Sequence, residues 1–254
     1  MTQSALLENV IAIAREAGEL IMEIYRSDFE VRGKEDASPV TEADEKAEKL
    51  ILDRLLALSP DIPVVSEEAA AAGFVPRIDQ RFWLVDPLDG TKEFINRNGE
   101  FTVNIALVEH GCPVLGVVLA PALDRLFAGA AGLGAWVEDG GIRQTISCRP
   151  IPADGLDVVA SRSHGDAQAL DQFLNGRQVR SLKSAGSSLK ICLVAAGEAD
   201  LYPRLGRTME WDIAAGHAVL VAAGGQIHTL AGEVLHYGKG DMSNPHFYAC
   251  ARNT

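Results

Sequence analysis

The spacing of apolar residues changes twice along this chain, and these changes constrain its fold more than any other feature. Two early stretches, 4–26 and 41–58, repeat apolar residues at the spacing of an amphipathic helix. Strand-like runs punctuated by glycine and proline follow, at 82–85, 101–108, 114–119, 126–130 and 135–137. After about residue 151 strands (156–160, 179–182, 200–202) alternate with helices (166–175, 187–196, 212–223). The pattern predicts an α+β half with an antiparallel sheet over 1–153, then an α/β half over 154–254.

The charge of the chain excludes one class of partner. Its 254 residues carry a formal net charge of −12, whereas binding to nucleic acid requires a basic surface. We therefore predict a small-molecule partner and no nucleic acid. The cysteines have neither zinc-ligand nor redox spacing, so we expect reduced, mostly structural thiols at Cys112, Cys148, Cys192 and Cys250.

The sequence also bears on location. The first residues lack the basic and apolar regions of a signal peptide. The longest apolar-rich stretch, 114–123, contains Gly116 and Pro121 and is too short to span a bilayer. We expect a cytoplasmic protein without an integral membrane segment. Peripheral attachment to the inner membrane and the oligomeric state stay open.

Two aspartates at the end of an apolar strand are the first chemical signal. Asp86 and Asp89 flank Pro87, which fixes one backbone angle, and Gly90 permits a positive φ or the close approach of a ligand. Carboxylates packed this closely repel each other and need a proton or a cation. A cluster of hard oxygen ligands suits Mg²⁺. Alone, the segment is also an ordinary turn sequence, so a metal site requires further acidic groups.

Three other places supply such groups. Glu67 and Glu68 follow the apolar run 62–65, and Asp212 opens the helix predicted at 212–223. Asp44, near the start of the second helix, could form with Thr91 a hydrogen-bonded pair that orients a water. Each group alone has a structural explanation, as a solvated loop, a helix start or a cap. Their joint occurrence favours a site.

The ordered set resembles the inositol monophosphatase superfamily of Mg²⁺-dependent, lithium-sensitive phosphatases. The shared motifs are the pair 67–68 (Glu-Glu), the run 86–91 (Asp-Pro-Leu-Asp-Gly-Thr) and the pair 211–212 (Trp-Asp). Within the superfamily, 86–94 and 98–106 are most similar to bacterial 3′(2′),5′-bisphosphate nucleotidases, because inositol phosphatases usually carry Thr-Asn-Phe in place of Lys92-Glu93-Phe94. The resemblance implies a layered αβαβα sandwich.

The resemblance also implies a role for each acidic residue. The metal ligands would be carboxylates and one backbone carbonyl, holding two or three Mg²⁺ ions: Glu67, Asp86, Leu88, Asp89 and Asp212. Glu68 would hold a metal-bound water, and Asp44 and Thr91 would polarise the attacking water. The chemistry fits independently, since two Mg²⁺ ions can stabilise both the attacking and the leaving oxygen of an in-line displacement.

Groups for the rest of the substrate follow the strands of the second half, where α/β sheets bind ligands. Their candidate set is Gly90, Thr91, Ser161, His164, Gly186, Ser188, Lys190 and Arg204. Lys190 ranks first as the partner of a phosphate that does not react, because a helix start and its serines converge there. His217, inside the last predicted helix, is expected to be a core histidine.

The leading functional hypothesis is hydrolysis of the 3′-phosphate of adenosine 3′,5′-bisphosphate (PAP) to AMP and phosphate. An inositol- or sugar-phosphate phosphatase of the same superfamily is the first alternative. The second is a noncatalytic binding protein on this fold, which has no need of mutually repelling carboxylates.

Overall fold

A computed structural model describes residues 1–33, 39–161 and 167–251. Two long helices, α1 (Gln3–Tyr25) and α2 (Glu42–Leu58), flank a small antiparallel ribbon of β1 (Val31–Gly33) and β2 (Pro39–Thr41). Thr41 caps α2 as a capping box: its hydroxyl accepts from the Ala43 N–H at 3.2 Å, and its own N–H donates to Asp44 Oδ2 at 2.8 Å. Both predicted N-terminal helices are therefore confirmed.

The first sheet has seven strands in chain order. They are β3 (Val64–Ser66), β4 (Arg81–Asp89), β5 (Thr102–Glu109), β6 (Cys112–Ala120), β7 (Arg125–Ala130), β8 (Gly134–Asp139) and β9 (Ile142–Ile146). Only the β3–β4 pair is parallel, which confirms the predicted antiparallel sheet. Two short helices interrupt the order, α3 (Glu67–Ala71) after β3 and α4 (Thr91–Ile95) after β4. Strand β9 was not predicted, because its residues are mostly exposed and carry little apolar pattern.

The second sheet is mixed. It contains β10 (Leu156–Ser161), β11 (Val179–Ala185), β12 (Leu201–Arg204), β13 (Gly225–Thr229) and β14 (Phe247–Ala251), in the order β11-β10-β12-β14-β13. Helices α5 (Ala167–Leu174), α6 (Leu189–Ala195) and α7 (Glu210–Ala222) connect its elements. Strand β10 is parallel to β11 and β12, as the predicted alternation implies, whereas β14 is antiparallel to both of its neighbours. The two last strands were not predicted.

The elements stack in five layers. Helices α1 and α2 pack on the face of the first sheet that presents Trp83 and Val85. Phe82 and Leu84, which alternate with them, face the layer of α6 and α7, and this layer also packs on the second sheet. Helix α5 covers the far face of the second sheet beside Leu156 and Val158. This order is the predicted αβαβα sandwich.

Helix α7 is buried along most of its length because it lies between the two sheets. Gly116 of β6 makes this approach feasible, since a Cβ there would lie 2.2 Å from the carbonyl oxygen of Ala215. His217 of α7 is buried, and its Nδ1 lies 2.9 Å from the Tyr237 hydroxyl. The prediction of a core histidine is confirmed.

A network of ion pairs fixes the start of the second half. Arg149 donates to Asp200 Oδ1 at 2.8 Å and also pairs with Asp157 on β10. Asp157 accepts further hydrogen bonds from Arg180 and Ser181 on β11. The Arg180 hydrogen bond, followed by that of Ser181, holds the pKa of the Asp157 carboxyl well below its usual range. The division of the chain at 153/154 itself stays a prediction.

Two expectations about the whole chain can be compared with the structure. Among the described residues the four cysteines carry thiols rather than disulfides, and Cys192 and Cys250 are buried. Within the described ranges, no helix combines the length and the apolar character needed to cross a membrane.

Candidate active site

Strand register brings Glu67 and Asp86 to the same edge of the first sheet. The parallel strands β3 and β4 place Ser66 beside Val85, so the residues that follow emerge next to each other. Glu67 begins α3, while Asp86 remains inside β4 and is 2% exposed. The sequence therefore places one carboxylate at the rim and one in the interior.

Strand β4 is irregular between Asp86 and Asp89, where its pairing with β5 shifts by one residue. The predicted turn at Pro87 is thus a bulge within the strand. The N–H of Leu88 donates to Asp86 Oδ1 at 3.1 Å. Gly90 follows with φ 91°, a left-handed conformation that favours glycine. The bulge keeps both aspartates at the end of the strand.

Asp212 reaches the site from the other layer. It is the third residue of α7, and its Oδ2 accepts from the N–H of Met209 at 2.9 Å. A carboxylate in the first turn of a helix is favoured by the helix dipole. Asp212 lines the same cavity as Glu67 and Asp89.

These carboxylates perturb one another. Burial raises the pKa of Asp86 well above its ordinary value, and the charges of Glu67, Asp89 and Asp212 raise it further. Burial likewise raises the pKa of Asp212, followed by the charges of Asp89 and Glu67. The pKa of Asp89 is also raised by burial, against a hydrogen bond from Ser187 that lowers it. The mutual repulsion expected from the sequence is present.

The predicted hydrogen bond between Thr91 and Asp44 is present. Thr91 Oγ1 donates to Asp44 Oδ1 at 3.1 Å. The other oxygen, Oδ2, accepts from the N–H of Thr41 at 2.8 Å and from its hydroxyl at 2.7 Å. Asp44 is 1% exposed, and burial raises its pKa. Its carboxylate is fixed in orientation and has an increased affinity for a proton.

The turn between β11 and α6 contacts the carboxylates directly. Ser187 Oγ donates to Asp89 Oδ2 at 2.6 Å. Ser187 itself has φ 52°, a left-handed conformation that is uncommon for a residue with a Cβ. A Cβ on Gly186 would lie 2.7 Å from the carbonyl oxygen of Glu100, so glycine is needed there for close packing. The predicted residue Gly186 therefore has a structural function, which is to let this turn pack closely against the backbone at Glu100.

Polar residues of β5 support the same turn. Ser188 Oγ donates to Asn104 Oδ1 at 2.7 Å and lies 2.9 Å from Thr102 Oγ1. Asn104 Nδ2 donates to the backbone carbonyl of Asp212 at 3.4 Å. These contacts connect the first sheet, α6 and α7. Ser188 thus acts within the protein framework of the site.

The candidate residues surround a cavity of about 310 Å³. The predicted site residues that line it are Glu67, Asp89, Gly90, Thr91, Ser161, Gly186, Ser188, Lys190, Arg204 and Asp212. Asp44 and Asp86 lie behind them, in contact with Thr91 and with the carboxylate cluster. The structure therefore assembles residues from both halves of the chain.

Lys190 lines the cavity but is turned toward the protein backbone. It is 3% exposed, and its Nζ donates to the carbonyl oxygens of Ala185 and Ser187. The ammonium also lies 5.5 Å from the ring of Tyr202. Burial lowers the pKa of Lys190 to about 8. Two of its three donors therefore hold the turn that carries Ser187.

One predicted residue, Glu68, lies away from the cavity. Glu68 faces a separate groove between α2 and α3, and its N–H donates to Glu48 Oε2 at 2.9 Å. It is not among the described residues that line the cavity, so its role toward water stays a prediction. His164 lies outside the described residues. The carbonyl oxygen of Leu88 accepts from Thr91 Oγ1 at 3.3 Å.

The structure adds residues that the sequence did not single out. Ser187, Arg207 and Thr208 line the cavity, and Thr102 and Asn104 support it. The pair Arg207-Thr208 lies four to five residues before Asp212, so proximity to the Trp-Asp motif was the available signal. Thr102 and Asn104 of β5 lie in the run 98–106 that carries the family resemblance, but the apolar pattern of that strand gave no reason to assign them to the site.

The donor set fits a hard cation by its chemistry. Carboxylates and a carbonyl oxygen are the ligands that Mg²⁺ prefers. Burial raises the pKa of Asp86, Asp89 and Asp212, so a cation beside these three groups would stabilise their charged forms. Within the described ranges, no three His, Cys, Asp or Glu side chains are already gathered in a metal-holding arrangement. The fit therefore depends on the identity and burial of the donors.

Comparisons with known proteins agree with this arrangement. Residues 2–252 match the sequence profile of the inositol monophosphatase family. The chain is 51% identical to a 3′(2′),5′-bisphosphate nucleotidase CysQ of Escherichia coli over 91% of this chain and 94% of that protein. It is 53% identical to CysQ of Salmonella typhimurium with the same coverage. The crystal structure of CysQ from Bacteroides thetaiotaomicron superposes with a TM-score of 0.83 at 40% identity, covering 98% of this chain and 97% of that one.

Proposed function

This chain belongs to the inositol monophosphatase family, and we propose that it is a Mg²⁺-dependent 3′(2′),5′-bisphosphate nucleotidase that hydrolyses the 3′-phosphate of PAP. One observation carries the proposal. Asp89 and Asp212, buried carboxylates from the two halves that repel each other, line a cavity that Lys190 and Arg204 also line. A binding protein has no need of such repulsion, whereas in a metal-dependent phosphatase the bound cations relieve it and serve the reaction.

The ions would be held by Glu67, Asp86, Asp89, Asp212 and the Leu88 carbonyl. Because Mg²⁺ takes one or two carboxylates per ion, this set suffices for two or three ions. When bound, Mg²⁺ supplies Lewis acidity that acidifies water and neutralises charge on the transferring phosphoryl group. The protein positions its own groups around that charge.

Thr91 and Asp44 provide a route for the proton of the attacking water. Since the Thr91 hydroxyl donates to Asp44 Oδ1, its oxygen is available to accept a proton from water. As that proton reaches Thr91 Oγ1, the threonine proton passes to Asp44 Oδ1. The raised pKa of Asp44 favours this transfer, and Thr41 keeps the carboxylate in place.

The turn at 186–188 keeps Asp89 in position. Ser187 donates to Asp89, and Lys190 holds the carbonyl of Ser187. Arg204 adds positive charge to the cavity, and this charge offsets part of the rise that burial causes in the pKa of Asp212. An anionic substrate therefore meets local cations in a protein whose net charge is −12.

The choice of PAP over an inositol phosphate is supported by the nucleotidase relatives and by Lys92-Glu93-Phe94 after the metal motif. The test is kcat/KM for PAP and for inositol 1-phosphate with Mg²⁺, and again in EDTA. We expect PAP to be preferred by at least about tenfold, a difference of about 1.4 kcal/mol in transition-state binding.

Preference for inositol 1-phosphate would instead identify a sugar-phosphate phosphatase of this family. Undiminished hydrolysis of PAP in EDTA would contradict the metal-dependent mechanism. If neither substrate were hydrolysed under any metal condition, the noncatalytic alternative would stand.

A further inference from the structure

Arg207 is an exposed arginine that lines the cavity without an internal partner. In the described part of the chain, its guanidinium makes no hydrogen bond, ion pair or ring contact. Other arginines are engaged: Arg125 and Arg149, for example, pair with carboxylates. In a protein of net charge −12, an unpaired guanidinium at a cavity is available for an anion from outside.

The next residue, Thr208, has the complementary property. It also lines the cavity and is 5% exposed, and its hydroxyl has no hydrogen-bond partner among the described residues. A buried hydroxyl left unpaired costs stability. Rotation about χ1 moves a threonine hydroxyl between staggered positions, so the Thr208 hydroxyl can turn toward an acceptor that enters the cavity.

The backbone around both residues is fixed. Arg204 Nη2 donates to the carbonyl of Arg207 at 2.7 Å, and the N–H of Asn244 donates to the carbonyl of Thr208 at 2.9 Å. Asn244 Nδ2 also donates to the carbonyl of Met209 at 2.7 Å. Arg204 is 9% exposed, and its Nε has no partner either. Arg204, Arg207 and Thr208 thus line one cavity on a fixed backbone. Arg204 Nε, the Arg207 guanidinium and the Thr208 hydroxyl are available there to an acceptor from a ligand.

We propose that Arg207 and Thr208, together with Arg204, form a subsite for the substrate phosphate that does not react. The inference rests on the proposed function, because it assigns the second phosphate of a bisphosphate. A phosphate offers several charged acceptor oxygens, which matches two guanidinium groups and a hydroxyl. Arg207 attracts the incoming phosphate from the rim, and Thr208 contacts it at short range.

The test compares PAP with adenosine 3′-monophosphate, which lacks the 5′-phosphate. The variants are Arg207→Gln, Thr208→Val, which removes only the hydroxyl, and Thr208→Ser, which keeps it. Arg77→Gln is the matched control, because Arg77 is exposed and lies outside the residues that line the cavity. Each variant is assayed for kcat/KM at low and at high salt.

We expect Thr208→Val to lower kcat/KM for PAP about tenfold, since a hydrogen bond to a charged group contributes about that factor. Thr208→Ser, which keeps the hydroxyl, should retain most of the wild-type kcat/KM. Arg207→Gln should lower it roughly three- to tenfold at low salt and less at high salt, because an exposed charge is screened. Hydrolysis of the monophosphate should change by less than about twofold in every variant. Arg77→Gln should leave both substrates unchanged.

Equal losses on both substrates, or equal losses in Thr208→Val and Thr208→Ser, would show that the loop supports the fold and would overturn the subsite. Equilibrium binding of PAP and of the monophosphate to EDTA-treated protein separates this inference from the proposed function. If PAP binds with an affinity that depends on Arg207 and Thr208 but is not hydrolysed, the function fails and the subsite stands. If wild type does not bind PAP, or binds it as tightly as Arg207→Gln and Thr208→Val do, the subsite is wrong.

Discussion

Asp89→Asn separates the chemistry of the site from its stability. Asparagine keeps the shape of the side chain, and its Oδ1 can still accept from Ser187, which lies 2.6 Å from the aspartate oxygen. What is lost is one negative charge from the proposed ligand set. We expect kcat to fall by at least about a hundredfold, which corresponds to about 2.7 kcal/mol of transition-state stabilisation.

The same change should stabilise the metal-free protein. The charge of Asp89 raises the pKa of both Asp86 and Asp212 in the folded state. Its removal relieves this repulsion, and each kcal/mol of added stability raises Tm by about 2–4 °C in a chain of this size. Activity and stability then change in opposite directions.

The gain should depend on pH. With raised folded pKa values, the folded protein binds more protons than the unfolded chain above the ordinary aspartate pKa of about 3.9. Metal-free stability therefore falls as pH rises through that window, and Asp89→Asn should weaken this fall. The assay is Tm in EDTA from pH 4 to pH 8, together with kcat in Mg²⁺.

Asp53→Asn is the control, because it removes the same charge from an exposed side chain of α2. It should leave kcat and the pH dependence of Tm unchanged. A variant Asp89→Asn that retains activity but unfolds at lower temperature would refute the argument and make Asp89 a structural residue.

Three other predictions concern the metal requirement, Lys190 and Asp157. EDTA should abolish phosphatase activity and Mg²⁺ should restore it, with lithium inhibiting as the family resemblance implies; steady-state assays measure all three. Lys190→Ala should lower kcat/KM by roughly tenfold or more, and equally for PAP and for adenosine 3′-monophosphate. The reason is that it leaves the carbonyls of Ala185 and Ser187 without their donor. A loss confined to PAP would favour direct contact between Lys190 and the phosphate. Asp157→Asn should lower Tm at pH 7, and the variant should lose less stability than wild type on acidification. A depressed carboxyl pKa stabilises the fold above about pH 4, and that contribution disappears as pH falls. Parallel profiles of Tm against pH for the two proteins would exclude this role.

Most of the fold could be predicted because it depends on apolar periodicity. Helices α1 and α2 and the strands of the first sheet carry strong patterns, and the layered order followed from the family motifs. Strand β9 and the last two strands of the second sheet were missed. Strand β9 is mostly exposed and carries little apolar pattern, whereas the place of β14 is decided by a partner distant in sequence, β12, which no local pattern encodes.

The site was predictable where chemistry is written in short motifs. The spacing of Asp86, Asp89 and Asp212 and their positions at a strand end or a helix start identified them as candidate ligands. The direction of a side chain was not predictable: Lys190 turns to backbone carbonyls, and Glu68 faces another groove. These orientations are set by packing between layers.

The position of α7 between the two sheets has a mechanical consequence for the whole molecule. The helix contacts strands β4 to β8 of the first sheet, β13 of the second sheet and α6 within its own layer. Gly116 of β6 lets the strand approach the backbone of α7 at Ala215. Because Asp212 is in its first turn, any shift of the helix along its axis moves a proposed ligand relative to Asp86 and Asp89. Side chains far from the cavity therefore set the spacing of the carboxylates. Substitutions that change the packing of this central helix can therefore alter the affinity for the metal ions without changing any of the carboxylates that would hold them.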